Sequence, residues 1–381
     1  MIMITPDKMN DSATSIVNVY SELEDRIFNI IIKALKQSRF EKVDKEDVLL
    51  WQAKQLSKMG VLNDKVIELL AQYTGETQKA IEQLIKGNGV KIVDEVDREL
   101  ERMVHRSVPV SDDISKILDS FIRQTFTDMN NNVNQTLITT NFNENAVMRA
   151  YQAIIKQSTL ESMTGLKTHE QAVRDNVYKM VDMGIKSGFV DRAGREWSME
   201  AYSRMVVQSS SHRTFNDLRL QRMEDFECVT ALMSSHPSAR KACATIQGDW
   251  VLVVPKSKAP NEFKHLPSIY DHGYGDPDGT QGIGCKHILY PGRPDVNTNN
   301  QPQYNPEEAQ ENAEIQQKQR KLERDIRYQK KRMNAALELE DPETVQMCKQ
   351  VISNKQKQLR ELINDNEFLV RDYSREQVYS D

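Results

Sequence analysis

Between Ser234 and Pro294 the chain carries a dense, turn-rich segment that no single helix can absorb. It reads SSHPSARKACATIQGDWVLVVP, passes through a polar loop, and resumes as YDHGYGDPDGTQGIGCKHILYPGRP. Two of the four cysteines (Cys243, Cys285) and four of the seven histidines (His236, His265, His272, His287) fall within it. Glycine and proline at this density punctuate regular structure every few residues. WVLVV and HILY are short apolar runs rich in β-branched and aromatic residues, so they read as strands. The flanks on both sides are long and polar, with a helical period. The expectation is a compact α+β element between helical arms.

The arms set the rest of the fold class. Ile16, Tyr20, Leu23, Ile27, Ile30, Ile31 and Leu35 recur at three- and four-residue steps, the mark of an amphipathic helix. A second helix is expected over 44–59, stopping at Gly60. Shorter ones follow over 64–73 and 77–86, broken at Gly75 and at Gly87–Asn88–Gly89, and a last one ends before Pro109. Residues 111–187 continue the pattern, with the Asn-rich run near 130 as weak helix material. Ser198 is placed to cap the helix that follows it. From Asn305 the chain is rich in Gln, Glu, Lys and Arg. Ile315, Leu322, Ile326, Met333 and Leu337 form one seam there, and Val345, Cys348, Ile352, Leu359 and Leu362 a second. Asp341–Pro342 lies between them, so an antiparallel helical hairpin or coiled coil is expected. The chain then reads as mainly α with a small α+β module. Its regions are 1–110 and 111–187 (helical), 188–295 (the Cys/His/Gly-rich module) and 305–370 (the hairpin).

Composition narrows the function classes. A length of 381 residues allows a real core, but 38% hydrophobic against 28% charged residues suits helices with much solvated or partner-facing surface. A net charge of −5 carries no global signal for nucleic acid. Cysteines at 228, 243, 285 and 348 are too scattered for a secreted disulfide framework. No basic segment followed by an apolar run opens the chain, and the longest apolar bursts are too short to span a bilayer. The reading is a soluble protein made in a reducing cytoplasm, with no membrane partner.

Several chemistries compete within the module. His236, Cys243, Cys285 and His287 are of the types zinc prefers and come as two pairs, although their spacing is not a standard zinc pattern. Against zinc stands a ligand-free core with a buried Cys, in which no cofactor is bound. Either cysteine beside a histidine could act as a nucleophile, but no pattern fixes thiol, base and orienting group together. The glycine-rich loop matches no phosphate-binding fingerprint, and Asp271, Asp276 and Asp278 lack the spacing of a calcium loop. Outside the module, Arg320, Arg324, Arg327 and Lys331 share a face of the C-terminal helix and could track a phosphate backbone. A solvated face is the competing reading.

Two blocks carry a resemblance. Ser235, His236, Ala239, Arg240, Cys243, Gln247 and Gly248 stand in the first, and Cys285, His287, Tyr290 and Pro291 in the second. Together with GFVDRAGREWSMEAYSRMVV upstream and the polar tail, they resemble the phage minor capsid protein 2 family over residues 120–370. Departures are Lys241 where the family has Pro, Ile246 for Trp, and Gly284 for Asn. The resemblance implies a structural head component of a tailed phage or prophage, present in the virion and made in the host cytoplasm. Its implied partners are portal and capsid proteins, with packaged DNA as a further one. Relatives with an ADP-ribosyltransferase-like fold would need an Arg, Ser/Thr and Glu trio, for which Arg204, Ser209 and Glu227 are the residues at hand. An enzyme of that kind or a nuclease, and a DNA-binding accessory protein, are the alternatives.

Overall fold

The computed structural model describes residues 6–36, 47–139, 141 and 144–378, with the backbone alone for 6–15 and 138. In chain order the elements are α1 (Pro6–Lys36), α2 (Val48–Ser57), α3 (Met59–Val104), α4 (Asp112–Met129), a π-helical turn (Asn130–Asn134), α5 (Gln135–Ile138), α6 (Ala146–Met163) and α7 (His169–Met183). Strands β1 (Lys186–Val190) and β2 (Glu196–Ser198) lead into α8 (Met199–Asp225). The module follows as β3 (Thr230–Met233), α9 (Lys241–Ala244), β4 (Trp250–Leu252) and β5 (Leu289–Pro291), and the chain closes on α10 (Pro306–Glu338) and α11 (Pro342–Asn364). The fold is mainly α with small antiparallel sheets, as the sequence pattern requires.

Contacts group the chain into two compact units, each assembled from three segments. One takes Met1–Ile16, Gln78–Thr127 and Arg204–Lys318; the other takes Val17–Thr77, Asp128–Ser203 and Gln319–Asp381. The stretch 188–295 therefore contributes to both.

The glycines of the N-terminal arm do not break it. α3 runs unbroken for 46 residues through Gly60, Gly75, Gly87 and Gly89, where several short helices were expected. A glycine inside a helix costs about 1 kcal/mol relative to Ala, and a continuous apolar face outweighs that. Leu62, Val66, Leu70, Tyr73, Ile81, Leu84, Ile85, Ile92, Val93, Val96 and Leu100 are all buried along it. The expected start of the preceding helix at Asp44 lies outside the described residues; α2 is present from Val48.

In the second unit, buried polar pairs join the helices. Asn145 caps α6 by accepting from the amides of Val147 and Met148, and its amide group donates to Asn63 at 2.8 Å. Tyr151 donates to the Gln55 side chain at 2.9 Å, and Trp51 meets His169 edge-on at 4.3 Å. Thr168 and Gln171 form a capping box at the start of α7, which ends at Gly184 in the left-handed region (φ 68°). The charged turn after β1 is the loop of the β1–β2 hairpin, and Ser198 accepts from the Ala201 amide at the head of α8. The C-terminal helices form an antiparallel hairpin. Asp325 and Lys355, each fifteen residues from Glu340 at the turn, pair at 2.9 Å. Asp341 caps α11 through the Thr344 amide, with Pro342 in its first turn. The seam differs from expectation at one end: Leu337 is exposed, while Ala335, Ala336 and Leu339 are buried.

In the first unit the sheet order is β4-β3-β5, with β3 central and buried throughout. Thr230 pairs with Leu252 and Leu232 with Trp250 on one side, and Leu232 with Tyr290 on the other. Trp250, Leu232, Leu252, Ala259, Phe263 and Leu266 form a core cluster on which the long polar loop folds down. Arg222 has a fully buried side chain. It is satisfied by Asp97 at 2.5 Å, Asp225 at 2.6 Å and the carbonyl of Val108 at 2.8 Å.

Candidate functional site

The two motif blocks meet at the end of β3. The Ser234 amide donates to the Ile288 carbonyl, and the Ser234 hydroxyl accepts from the Ile288 amide at 2.9 Å. This double link lays the first block beside the approach to β5. α9 then turns Cys243 inward, with Arg240 just before it, and the chain reverses at Gly248 in the left-handed region (φ 75°). The glycine-rich loop brings Cys285 in from the other side. A Cβ on Gly279 would lie 1.9 Å from the Gly273 carbonyl oxygen, so only glycine fits at that crossing. Arg240 donates to the carbonyls of Ile283 and Pro277 and clasps the loop to α9.

Cys243 Sγ and Cys285 Sγ are 3.9 Å apart, and Cys285 Sγ is 3.4 Å from His287 Nδ1. Thr280 Oγ1 lies 3.5 Å from Cys243 Sγ. All four cysteines are free thiols. Relative exposures of 0% for Cys243, 5% for Cys285 and 3% for His287 close this cluster to solvent. Among the described residues, these three are the one set of Cys, His, Asp or Glu whose donor atoms lie within 4.8 Å of one another.

Gln247 fixes the state of the histidine. Its Oε1 accepts from the His236 amide at 2.9 Å, which identifies that end of the side chain as the oxygen. His287 Nε2, 2.9 Å from the same oxygen, must then carry a proton and donate. The tautomer protonated on Nε2 alone turns the lone pair of Nδ1 toward Cys285. The hydrogen bond from Cys243 holds the Cys285 thiol below its ordinary pKa, whereas that same bond and burial push Cys243 up.

His236 does not join this set. Its Nε2 sits 3.3 Å from the Lys286 carbonyl, and its ring packs edge-on against His287 at 4.6 Å. Burial pushes it down to about 4, so it is neutral. A histidine outside the motif blocks also belongs to this neighbourhood. His212 of α8 is buried, has no hydrogen-bond partner on either ring nitrogen, and is pushed down to about 4 by burial. One turn further along α8, Asn216 donates to the His287 carbonyl at 3.2 Å. A lone histidine in a polar helix carries no spacing signal, which is why sequence reasoning passed over His212.

The other singled-out residues serve the frame. Ser235 donates its amide to Gln301, Ala239 to the Ala309 carbonyl, and Tyr290 and Pro291 lie in β5 opposite Leu232 and Ala231. Arg204 lies in the second turn of α8 and Glu227 beyond its last residue, Asp225, so about 30 Å of helix at 1.5 Å per residue separates them and no trio with Ser209 assembles. Asp271 pairs with Lys256 at 3.4 Å, and Asp271, Asp276 and Asp278 do not gather as a calcium site does. The basic stripe on α10 is not an open face. Arg327 pairs with Glu200 at 2.9 Å, Lys331 lies buried between Glu24 and Glu200, and Arg320 pairs with Glu323 at 3.0 Å. Arg324 alone of the four is exposed.

The family model for phage minor capsid protein 2 matches residues 4–364. The chain belongs to the phage minor capsid protein 2 family. A structural protein of Lactococcus phage LL-H is 38% identical over 365 residues, covering 95% of this chain and 98% of that protein. A structural protein of Lactococcus phage mv4 is 43% identical over 112 residues, 29% of this chain and 91% of that protein. No solved structure gives a significant match. The chain is thus a structural component of a phage head. Among the described residues, no helix is long and apolar enough to cross a membrane. The departures from the minor capsid protein 2 pattern sit where the geometry accommodates them. Lys241 occupies the first position of α9, where Pro is also favoured, and Ile246 is buried in place of Trp. Gly284 has φ 72°, a conformation that Asn adopts more readily than other side chains.

Proposed function

We propose that this chain works by binding rather than by turnover, as a minor head component docked on the portal or the inner face of the shell. The observation that carries the reading is the family match from residue 4 to 364, which takes in segments of both compact units. The site adds weight to it. Its cysteines and histidine are sealed from solvent, and a thiol nucleophile would need to be reached by substrate. The helical faces then supply the contacts. Assembly takes place in the host cytoplasm and ends in the particle.

Quantitative mass spectrometry and cross-linking of purified particles, full and emptied of genome, test this. The expected result is the chain at low copy in both, cross-linked to portal or capsid protein. Its loss along with the genome would favour a DNA-bound accessory instead. Its presence in lysate but never in particles would overturn the proposal.

A further inference from the structure

The cysteine–histidine cluster has the dimensions of a zinc site. A tetrahedral zinc with Zn–S near 2.3 Å and Zn–N near 2.0–2.1 Å sets its S···S edge at about 3.8 Å and its S···N edge at about 3.5 Å. The observed edges are 3.9 Å between the sulfurs and 3.4 Å from Cys285 Sγ to His287 Nδ1. The imidazole presents the nitrogen a metal would need. Gln247 Oε1 accepts from the Nε2–H, the outer hydrogen bond that orients a metal-ligating histidine. Gln247 is in turn fixed by the His236 amide, so the orientation does not depend on a metal being present.

Three donors leave a fourth position. His212 is a buried side chain of α8 with no hydrogen-bond partner on either ring nitrogen. It shares a face of α8 with Asn216, which is itself bonded to the His287 carbonyl. Its ring stands outside the set of donors within 4.8 Å, so the proposed ligation requires the ring to move. We propose that Cys243, Cys285 and His287 bind a zinc ion and that His212 closes the tetrahedron. Such a closed site would be structural. It would pin α9, the end of the glycine-rich loop and the approach to β5 to helix α8, at a point where the sheet has strands of three or four residues.

The full-length chain, purified under reducing conditions without chelator, is assayed for zinc and titrated with cobalt(II) after zinc removal. The expected results are one zinc per chain and a cobalt form with thiolate charge-transfer bands and the intense d–d bands of a tetrahedral site. Zinc removal should lower the thermal midpoint, and added zinc should restore it. Cys243→Ser and Cys285→Ser should each weaken cobalt binding roughly 100-fold or more, beyond the 10–100-fold typical of outer-shell changes. His236→Ala should leave the cobalt spectrum unchanged. Wild-type protein that holds no zinc and gives no cobalt spectrum overturns the proposal without recourse to any variant. A Cys243–Cys285 disulfide in freshly isolated particles, found by thiol counting, does the same. His212→Ala with an unaltered cobalt spectrum removes His212 from the site.

Discussion

Asp25 is where the ion network of the second unit balances its charge. Lys331 and Arg327 bring two cations into a buried group that already holds Glu24 and Glu200. Glu24 also accepts from the Ile185 amide at 2.8 Å. Asp25 is a third carboxyl, attracted by Lys331 at longer range, and its Oδ2 has no hydrogen-bond partner. Burial is the main cause that pushes its pKa up from 3.8 to about 7, and the neighbouring Glu24 and Glu200 add to it. The native state then binds a proton that the unfolded chain releases between those values, so stability falls as pH rises from about 4 to 7. Asp25→Asn should remove that dependence. It should change little near pH 4 and stabilise by about 1–4 kcal/mol above pH 7, read as thermal midpoint against pH. The opposite substitution in the same group is Lys331→Met, which strands two buried carboxylates and should cost about 3–5 kcal/mol. Arg324→Glu, on the exposed side, should stay within about 0.5 kcal/mol.

At the scale of elements, α3 and the sheet make opposite demands on their small and large residues. A Cβ at Gly75 or Gly87 meets nothing within 4 Å, and both glycines lie inside a helix. Gly75→Ala and Gly87→Ala should each stabilise by about 0.5–1 kcal/mol in chemical denaturation. A loss would mean that the helix breaks where the glycines stand. In β4, Trp250 packs in the core cluster and its ring closes on Gly292, where an added Cβ would come within 2.9 Å. Trp250→Ala should cost about 3–5 kcal/mol and expose the module to protease while the α10–α11 hairpin stays helical. What the sequence showed of these elements follows from which term is local. Capping at Ser198, the strand runs and the turn at Asp341–Pro342 are set by neighbouring residues, and each is where local chemistry places it. Whether glycines interrupt α3 depends on distant packing. So does the seam of α10, where Gln319, Glu323, Arg327 and Lys331 are buried at strict four-residue spacing. Charged residues at that spacing read as a solvated face until Glu200, Glu24 and Arg375 arrive from elsewhere in the chain. The same limit separates Cys243, Cys285 and His287, marked by residue type, from His212, which only tertiary structure brings alongside.

At the scale of the whole molecule, charge decides between a protein-docking and a DNA-tracking head component. The chain carries 51 basic and 56 acidic side chains, so any attraction for DNA must come from a local excess. The strongest excess along the chain is the run 318–332, with eight basic and two acidic residues. Folding removes much of it: Arg327 and Lys331 are buried in ion pairs, Arg320 is held by Glu323, and Arg332 pairs with Asp182 at 2.5 Å. Each phosphate contact adds about 0.9 to the slope of log affinity against log salt on duplex DNA. Four contacts from Arg320, Arg324, Arg327 and Lys331 would give a slope near 3.6. With Arg324 as the exposed member, the expected slope from this face is about 1. Titration of the full-length chain with a short duplex across a range of salt measures it directly. A slope near 3.6 that falls on Arg324→Glu would mean that the α10 pairs open to meet DNA, and the accessory reading would then displace docking. A shallow slope leaves the cations of α10 as internal struts, with partner proteins as the surfaces its helices are built to meet.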